Sequence, residues 1–228
     1  MLVRLPRNSD KAAPPKRRRR ERLGTARRRE AFPGAGYTAA MLDAAEIFPE
    51  TIRPLRRVEY EKMVELGLFD NERVELIDGI LVAMSPQGTR HAEMVRRLNE
   101  LFQTRVAGRA RVQIQSPLAC ADDALPEPDL ALVPVRDYAR QHPDSALLVI
   151  EVAETSLRKD RLAKGRVYAR AGVPEYWIVN LVDTMVEVHT GPTAAGYETI
   201  TQARPGETIH PRGFADIAAS LSDLLAGI

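Results

Sequence analysis

One cysteine and four histidines in 228 residues leave little room for soft-metal chemistry. Cys120 alone can form neither an intrachain disulfide nor a cysteine-based zinc cluster. None of the histidines has a neighbour at zinc-motif spacing. No apolar run approaches the roughly 18–20 residues that a membrane span needs. No membrane association is therefore expected, and a reducing cytoplasmic setting is the default. The N-terminus lacks the apolar core of a secretory signal. Aromatic residues make up only 5% of the chain, few for the stacking platforms of a sugar cleft. Internal repeats are missing as well. What remains is a chain of ordinary apolar content, 44%, and of a length that usually folds as one domain, with or without a tail.

The net charge of +2 conceals an asymmetry. Residues 1–30 hold 12 Lys/Arg against 3 Asp/Glu, a local +9. The other 198 residues hold 21 basic and 28 acidic side chains, a net −7. Basic character thus belongs to the tail, and whole-chain charge does not argue for nucleic-acid binding. Residues 1–40 contain KRRRR at 16–20, a second run at Arg27–Arg29 and scattered Pro and Gly. They read as a disordered basic extension. Three accounts compete for it: a phosphate-tracking arm, a transit-like segment, or an over-extended start ahead of a natural beginning at Met41. The folded domain is then 41–228.

Periodic sequence begins near Pro54. VEYEKMVELGLF has helical spacing, with Gly67 as a C-cap. In ERVELIDGILVAMSP, Asp78-Gly79 between apolar runs signals a hairpin. HAEMVRRLNELFQTRV reads as an amphipathic helix with Met94, Leu98 and Leu101 on its stripe. RVQIQSPLAC and DLALVPV read as strands. SALLVIEVAE is the most apolar strand, a pattern that implies burial on both faces. LRKDRLAKGRVYARAG reads as one helix ended by Gly172. EYWIVNL, TMVEVHT and GYETITQA follow as strands, and FADIAASLSDLLAGI reads as a closing helix. The order predicts an α/β or α+β domain with a mixed central sheet flanked by helices.

Three polar residues interrupt this apolar framework. Asp129 opens a strand directly after Pro128, which pre-orients it. Glu151 breaks the run LLVIEVA, and a glutamate is almost never fully buried without a partner. Lys164 follows on the next helix. Two carboxylates and an ammonium can hold a divalent cation and aim a water at a phosphodiester. Each also has a plainer explanation: a loop Asp, a solvent-facing strand-end Glu, and an exposed Asp160–Lys164 helix pair. Tyr168 continues the Asp160–Lys164 face. Glu75 lies just before the hairpin turn. His91 opens a helix, where a lone histidine is more often a local hydrogen-bonder than a ligand. Tyr176 and Trp177 read as packing residues.

Together these segments resemble the Uma-type family of putative restriction endonucleases. The landmarks are YEKMVELGLFDNERVELIDGILVAMSP, His91, EPDLALV, LVIEVAETSLRKDRLAKGRVYARAGVPEYWIV and FADIAASLSDLL, running from about Glu59 to the C-terminus. The resemblance implies a restriction-endonuclease-like fold of the PD-(D/E)xK type. It implies catalytic Asp129, Glu151 and Lys164, with Glu75, Asp129 and Glu151 around Mg²⁺ (or Mn²⁺), helped by the Val152 carbonyl. His91, Asp160 and Tyr168 take supporting places. The position two residues after Glu151, where the wider superfamily has its lysine, is Ala153; Lys164 matches a lysine moved to the following helix. The implied activity is Mg²⁺-dependent hydrolysis of DNA.

Two alternatives stand beside it. One is a catalytically inactive nuclease-like fold acting as a DNA-binding or protein-interaction module, favoured by the displaced lysine and the acidic body. Against it, Arg90, Arg96, Arg97, Arg158, Lys159 and Arg161 could line a basic groove. The other is a paired-carboxylate glycosidase, which leaves Lys164 idle. Edge strands near 183–200 could pair two subunits as a homodimer. No sequence-reading module for DNA is evident.

Overall fold

The computed structural model describes residues 53–228. The basic extension and the start at Met41 lie outside the described residues. Helix α1 (Arg57–Glu65) leads into the hairpin β1 (Val74–Ile77) and β2 (Ile80–Ala83). Its two-residue turn is the expected one: Asp78 and Gly79 have φ of 49° and 75°, the pair of positive values that a type I′ turn requires. A side chain at Gly79 would also collide with Pro54, whose Cβ lies 2.3 Å from where the new Cβ would stand. The hairpin forms its own two-stranded sheet and is stitched to the body by Leu125 N–H donating to the Leu76 carbonyl at 2.8 Å.

Helix α2 (Thr89–Arg105) precedes a six-stranded sheet of β3 (Arg111–Ile114), β4 (Leu130–Val133), β5 (Leu148–Ala153), β6 (Glu175–Asn180), β7 (Met185–Thr193) and β8 (Gly196–Ala203), in sequential order. Only β5 and β6 run parallel, and a parallel pair needs a crossover. The segment between them supplies it. The period-2 alternation of the strands divides the core. Leu130, Leu132, Ile150 and Trp177 face α2 with Met94, Leu98 and Phe102. Ala131, Val149, Ala153 and Ile178 face the crossover with Tyr168 and Tyr176. This is the mixed sheet between helices that the sequence predicts, and β5 is buried along its whole length.

Two elements depart from expectation. The crossover is not one α-helix but α3 (Leu157–Lys159), a π-helical turn (Asp160–Lys164) and α4 (Gly165–Arg170). A glycine fits the junction: at Gly165 a Cβ would stand 3.3 Å from the Asp160 carbonyl oxygen. The closing helix is only α5 (Leu221–Leu224). Before it, β10 (Ala219–Ser220) pairs with β9 (Thr208–Ile209). Phe214, Ile217 and Leu221 are all buried, but only Leu221 stands in a helix; Phe214 and Ile217 reach the core from successive turns. The helix starts where Ser220 caps it, accepting from the Asp223 N–H, as an N-cap serine does. No helix among the described residues is long and apolar enough to cross a membrane.

Candidate functional site

Strand pairing brings the two central acids together. In the antiparallel β4–β5 ladder Leu130 faces Ile150, so the next pair outward is Asp129 with Glu151. Directly opposed residues project to the same face of a sheet. The β3–β4 ladder also extends one step, Gln115 N–H donating to the Asp129 carbonyl at 3.2 Å. Gln115 sits there at φ 45° and offers its side-chain amide to Asp129 Oδ1 at 3.4 Å. Sequence reading missed Gln115; its only trace was the alternation of RVQIQ.

Asp129 Oδ2 accepts from the Val152 N–H at 2.8 Å and pairs with His91 Nε2 at 3.0 Å. Burial works to raise the Asp129 carboxyl, but the His91 contact and the Val152 N–H overturn it and hold it below the usual range. His91 thus orients one of the acids from the first turn of α2. Its Nδ1 has no hydrogen-bond partner among the described residues.

Glu151 is 3% exposed. Its Oε1 accepts from Lys164 Nζ at 2.8 Å and from the Tyr168 hydroxyl at 2.6 Å. Burial pushes this carboxyl well above the ordinary range; Lys164 opposes, while the charges of Asp129, Asp160 and Glu75 add to the rise. Asp160, 1% exposed, accepts from the Ser156 hydroxyl. Burial raises it too, against Lys164 and that hydroxyl. Asp160 and Lys164 are therefore not an exposed helix pair, because the π turn faces both inward.

Lys164 is the centre of the cluster. Its ammonium touches Glu151 Oε1 and, at 3.0 Å, Glu75 Oε2. Burial alone would drive it neutral, yet Glu151, Glu75 and Asp160 outweigh burial and raise its pKa. Lys164 therefore stays a cation, suited to donate a hydrogen bond and unsuited to accept a proton. Glu75 is fully buried on β1, with Oε1 on Lys159 at 2.8 Å and Oε2 also accepting from the Glu127 N–H at 3.2 Å. Burial would raise Glu75, but the two ammoniums hold it low. Lys164 thus joins Glu151 and Glu75 directly, whereas Asp129 stands beside Glu151 through the strand pairing and is held by His91 and Val152.

Asp129, Glu151, Asp160 and Lys164 line a cleft of about 270 Å³, whose wall includes Met84–Gly88, His91, Glu127, Val152, Glu154 and Lys159; Glu75 lies behind it on the two lysines. No three His, Cys, Asp or Glu side chains among the described residues stand close enough to enclose a metal ion. A hard cation is nevertheless a chemical match. Four buried carboxyl groups (Glu75, Asp129, Glu151, Asp160) face two ammoniums (Lys159, Lys164), a deficit of two positive charges. Both hydrogen bonds to Glu151 fall on Oε1, and Asp129 Oδ1 has only the long Gln115 contact. One oxygen of each acid is left for a ligand. Mg²⁺ commonly takes one or two protein carboxylates and keeps several waters.

The expected basic groove is mostly spent on other acids. Arg96 and Arg97 pair with Glu93, Arg161 with Glu187 and Arg90 with Glu154.

The family model of Uma2, described as a putative restriction endonuclease, matches residues 58–222. The chain belongs to the Uma2 family. A crystal structure titled a putative nuclease belonging to DUF820, from Anabaena variabilis ATCC 29413, is similar in fold. It has a TM-score of 0.60 at 18% identity, over 76% of this chain and 98% of the other. No curated protein matches the chain. The Uma2 match runs from α1 to the first turn of α5 and contains every residue of the cluster.

Proposed function

We propose that the chain is a Mg²⁺-dependent endonuclease that hydrolyses phosphodiester bonds of DNA, with Mn²⁺ as a substitute ion. The supporting observation is the charge balance at the end of β4 and β5, where two opposed acids with a free oxygen each belong to a buried cluster of four carboxyl groups facing two ammoniums. Asp129 and Glu151 would hold the ion, with the Val152 carbonyl on the same wall. Glu75 would join them only by giving up an ammonium. The bound ion would lower the pKa of a water and neutralise phosphate oxygens. Lys164, always cationic, would donate to the attacking water or to the phosphoryl oxygen on which charge builds. His91 and Tyr168 each occupy one oxygen of an acid and fix its direction.

The test is incubation of purified protein with plasmid DNA in Mg²⁺, Mn²⁺ or EDTA. Cleavage should need the ion and vanish in Asp129→Ala and Glu151→Ala; cleavage that survives either substitution in a clean preparation refutes the assignment. The second reading, a non-catalytic DNA-binding or protein-interaction module, draws on Ala153 and on the spent arginines. Calorimetry separates the two: Mg²⁺ binding that Glu151→Gln abolishes belongs to the enzyme, and absence of binding belongs to the module.

A further inference from the structure

Glu75 is carried by the separate hairpin, yet each of its oxygens meets an ammonium from the crossover. Lys159 and Lys164 are five residues apart. In an α-helix of 3.6 residues per turn, such residues point roughly 140° away from each other, and one carboxylate could not meet both. The π turn changes this. Gly165 N–H donates to the Asp160 carbonyl five residues back, and the wider turn brings i and i+5 closer to one face than an α-helix does. The two ammoniums therefore end side by side on Glu75.

The two lysines are not equivalent. Lys164 is buried and has Glu151 as a second partner, while the Lys159 side chain is 29% exposed and pairs with Glu75 alone among the described residues. Lys159 and Lys164 are the only basic side chains, His91 apart, among the described residues lining the cleft. Removing Lys159 from Glu75 uncovers Oε1 but leaves Oε2 held by Lys164 and the Glu127 N–H, so the carboxylate keeps an ammonium.

Building on the nuclease reading above, we propose that Lys159 is the cleft's substrate-binding cation: it exchanges Glu75 for a backbone phosphate of the nucleic acid, while Glu75 stays on Lys164 as a positioning residue. A lysine suits this exchange, being a point charge on a flexible stem. One ion contact replaces another, so the buried carboxylate never loses all compensation.

The experiment measures binding of a labelled DNA duplex by anisotropy across a range of KCl, with Ca²⁺ in place of Mg²⁺, and cleavage kinetics with Mg²⁺. In Lys159→Gln the slope of log affinity against log salt should fall by about one phosphate contact. KM should rise more than kcat falls, and Lys159→Arg should restore both. Glu75→Gln, which frees Lys159 and loosens Lys164, should tighten binding at low salt and lower kcat. It keeps the test decisive if Lys159→Gln does not fold. An unchanged slope in Lys159→Gln, or weaker binding in Glu75→Gln, while wild type binds and cleaves DNA, overturns the role of Lys159 alone. A wild type that neither binds nor cleaves DNA overturns the nuclease reading and the exchange with it.

Discussion

A divalent cation should stabilise this protein, and Glu151→Gln should make it more stable without the cation and indifferent to it. The cluster's charge deficit is the reason. Glu151 and Asp160 have folded pKa values raised by burial. Their stabilising contribution is present below the unfolded carboxylate pKa and is lost as pH rises through the folded values. Asp129 and Glu75 are held low, so theirs is present at higher pH and lost on acidification. The metal-free protein should therefore lose stability between weakly acidic and neutral pH. A glutamine at 151 keeps an acceptor for Lys164 and Tyr168 and lowers the cluster's carboxylate excess by one, while Lys164 retains Glu75 and is not left uncompensated. At a concentration of ~100 times Kd a bound ion adds about 2.7 kcal/mol, or roughly 5–10 °C in Tm for a domain of this size. Thermal unfolding of wild type and Glu151→Gln, each in EDTA and in Mg²⁺ between pH 5 and 8, measures all of this. Wild type should gain most at the upper end, where protons no longer substitute for the ion. Equal Mg²⁺ shifts in the two proteins, or none in wild type at millimolar Mg²⁺, would refute the charge argument.

Lys164→Met should destabilise by about 3–5 kcal/mol in urea unfolding, because it leaves Glu151 without its ion-pair partner and Glu75 with one ammonium fewer. Tyr168→Phe removes one donor from Glu151 Oε1 and should cost about 1.5–3 kcal/mol by the same assay, the range for a hydrogen bond to a charged group. Gly79→Ala places a Cβ against Pro54 at φ 75°; it should lower Tm and expose the hairpin amides to faster hydrogen exchange, with a cost of at least roughly 1–2 kcal/mol from the backbone alone.

What could be read from the sequence depended on how local its cause was. Asp78-Gly79 fixes a turn by its own backbone preferences, and the hairpin stands where the dipeptide placed it. Asp129 and Glu151 stood out because each breaks an apolar run. Their opposition, however, depends on the β4–β5 register, which no local pattern encodes. The helical spacing of Phe214, Ile217 and Leu221 reports burial without reporting conformation, and one helix was expected where turns deliver Phe214 and Ile217 and a short helix delivers only Leu221. The π turn lay beyond periodicity altogether, since one extra residue per turn leaves the apolar positions of LRKDRLAKGRVYARAG close to α-helical spacing. Gly165 was the available hint: a glycine inside a helix costs about 1 kcal/mol relative to alanine and usually has a packing reason.

That turn also accounts for Ala153. Residues 151 and 153 share a face of β5, so a lysine at 153 would lie beside Glu151 on the crossover side. Here Ala153 is fully buried in the cluster formed by Tyr168, Tyr176 and Ile178, with Leu157 packed against it. No space is left for a long charged side chain. The crossover fills that space, and its own Lys164 side chain puts an ammonium 2.8 Å from Glu151. The added grip on Glu75 ties the lysine to the hairpin as well as to the sheet. A strand-borne lysine would be aimed by the sheet alone. This one is aimed by a π turn, a hairpin and a strand together, so its position should fail as a unit when any of the three is loosened.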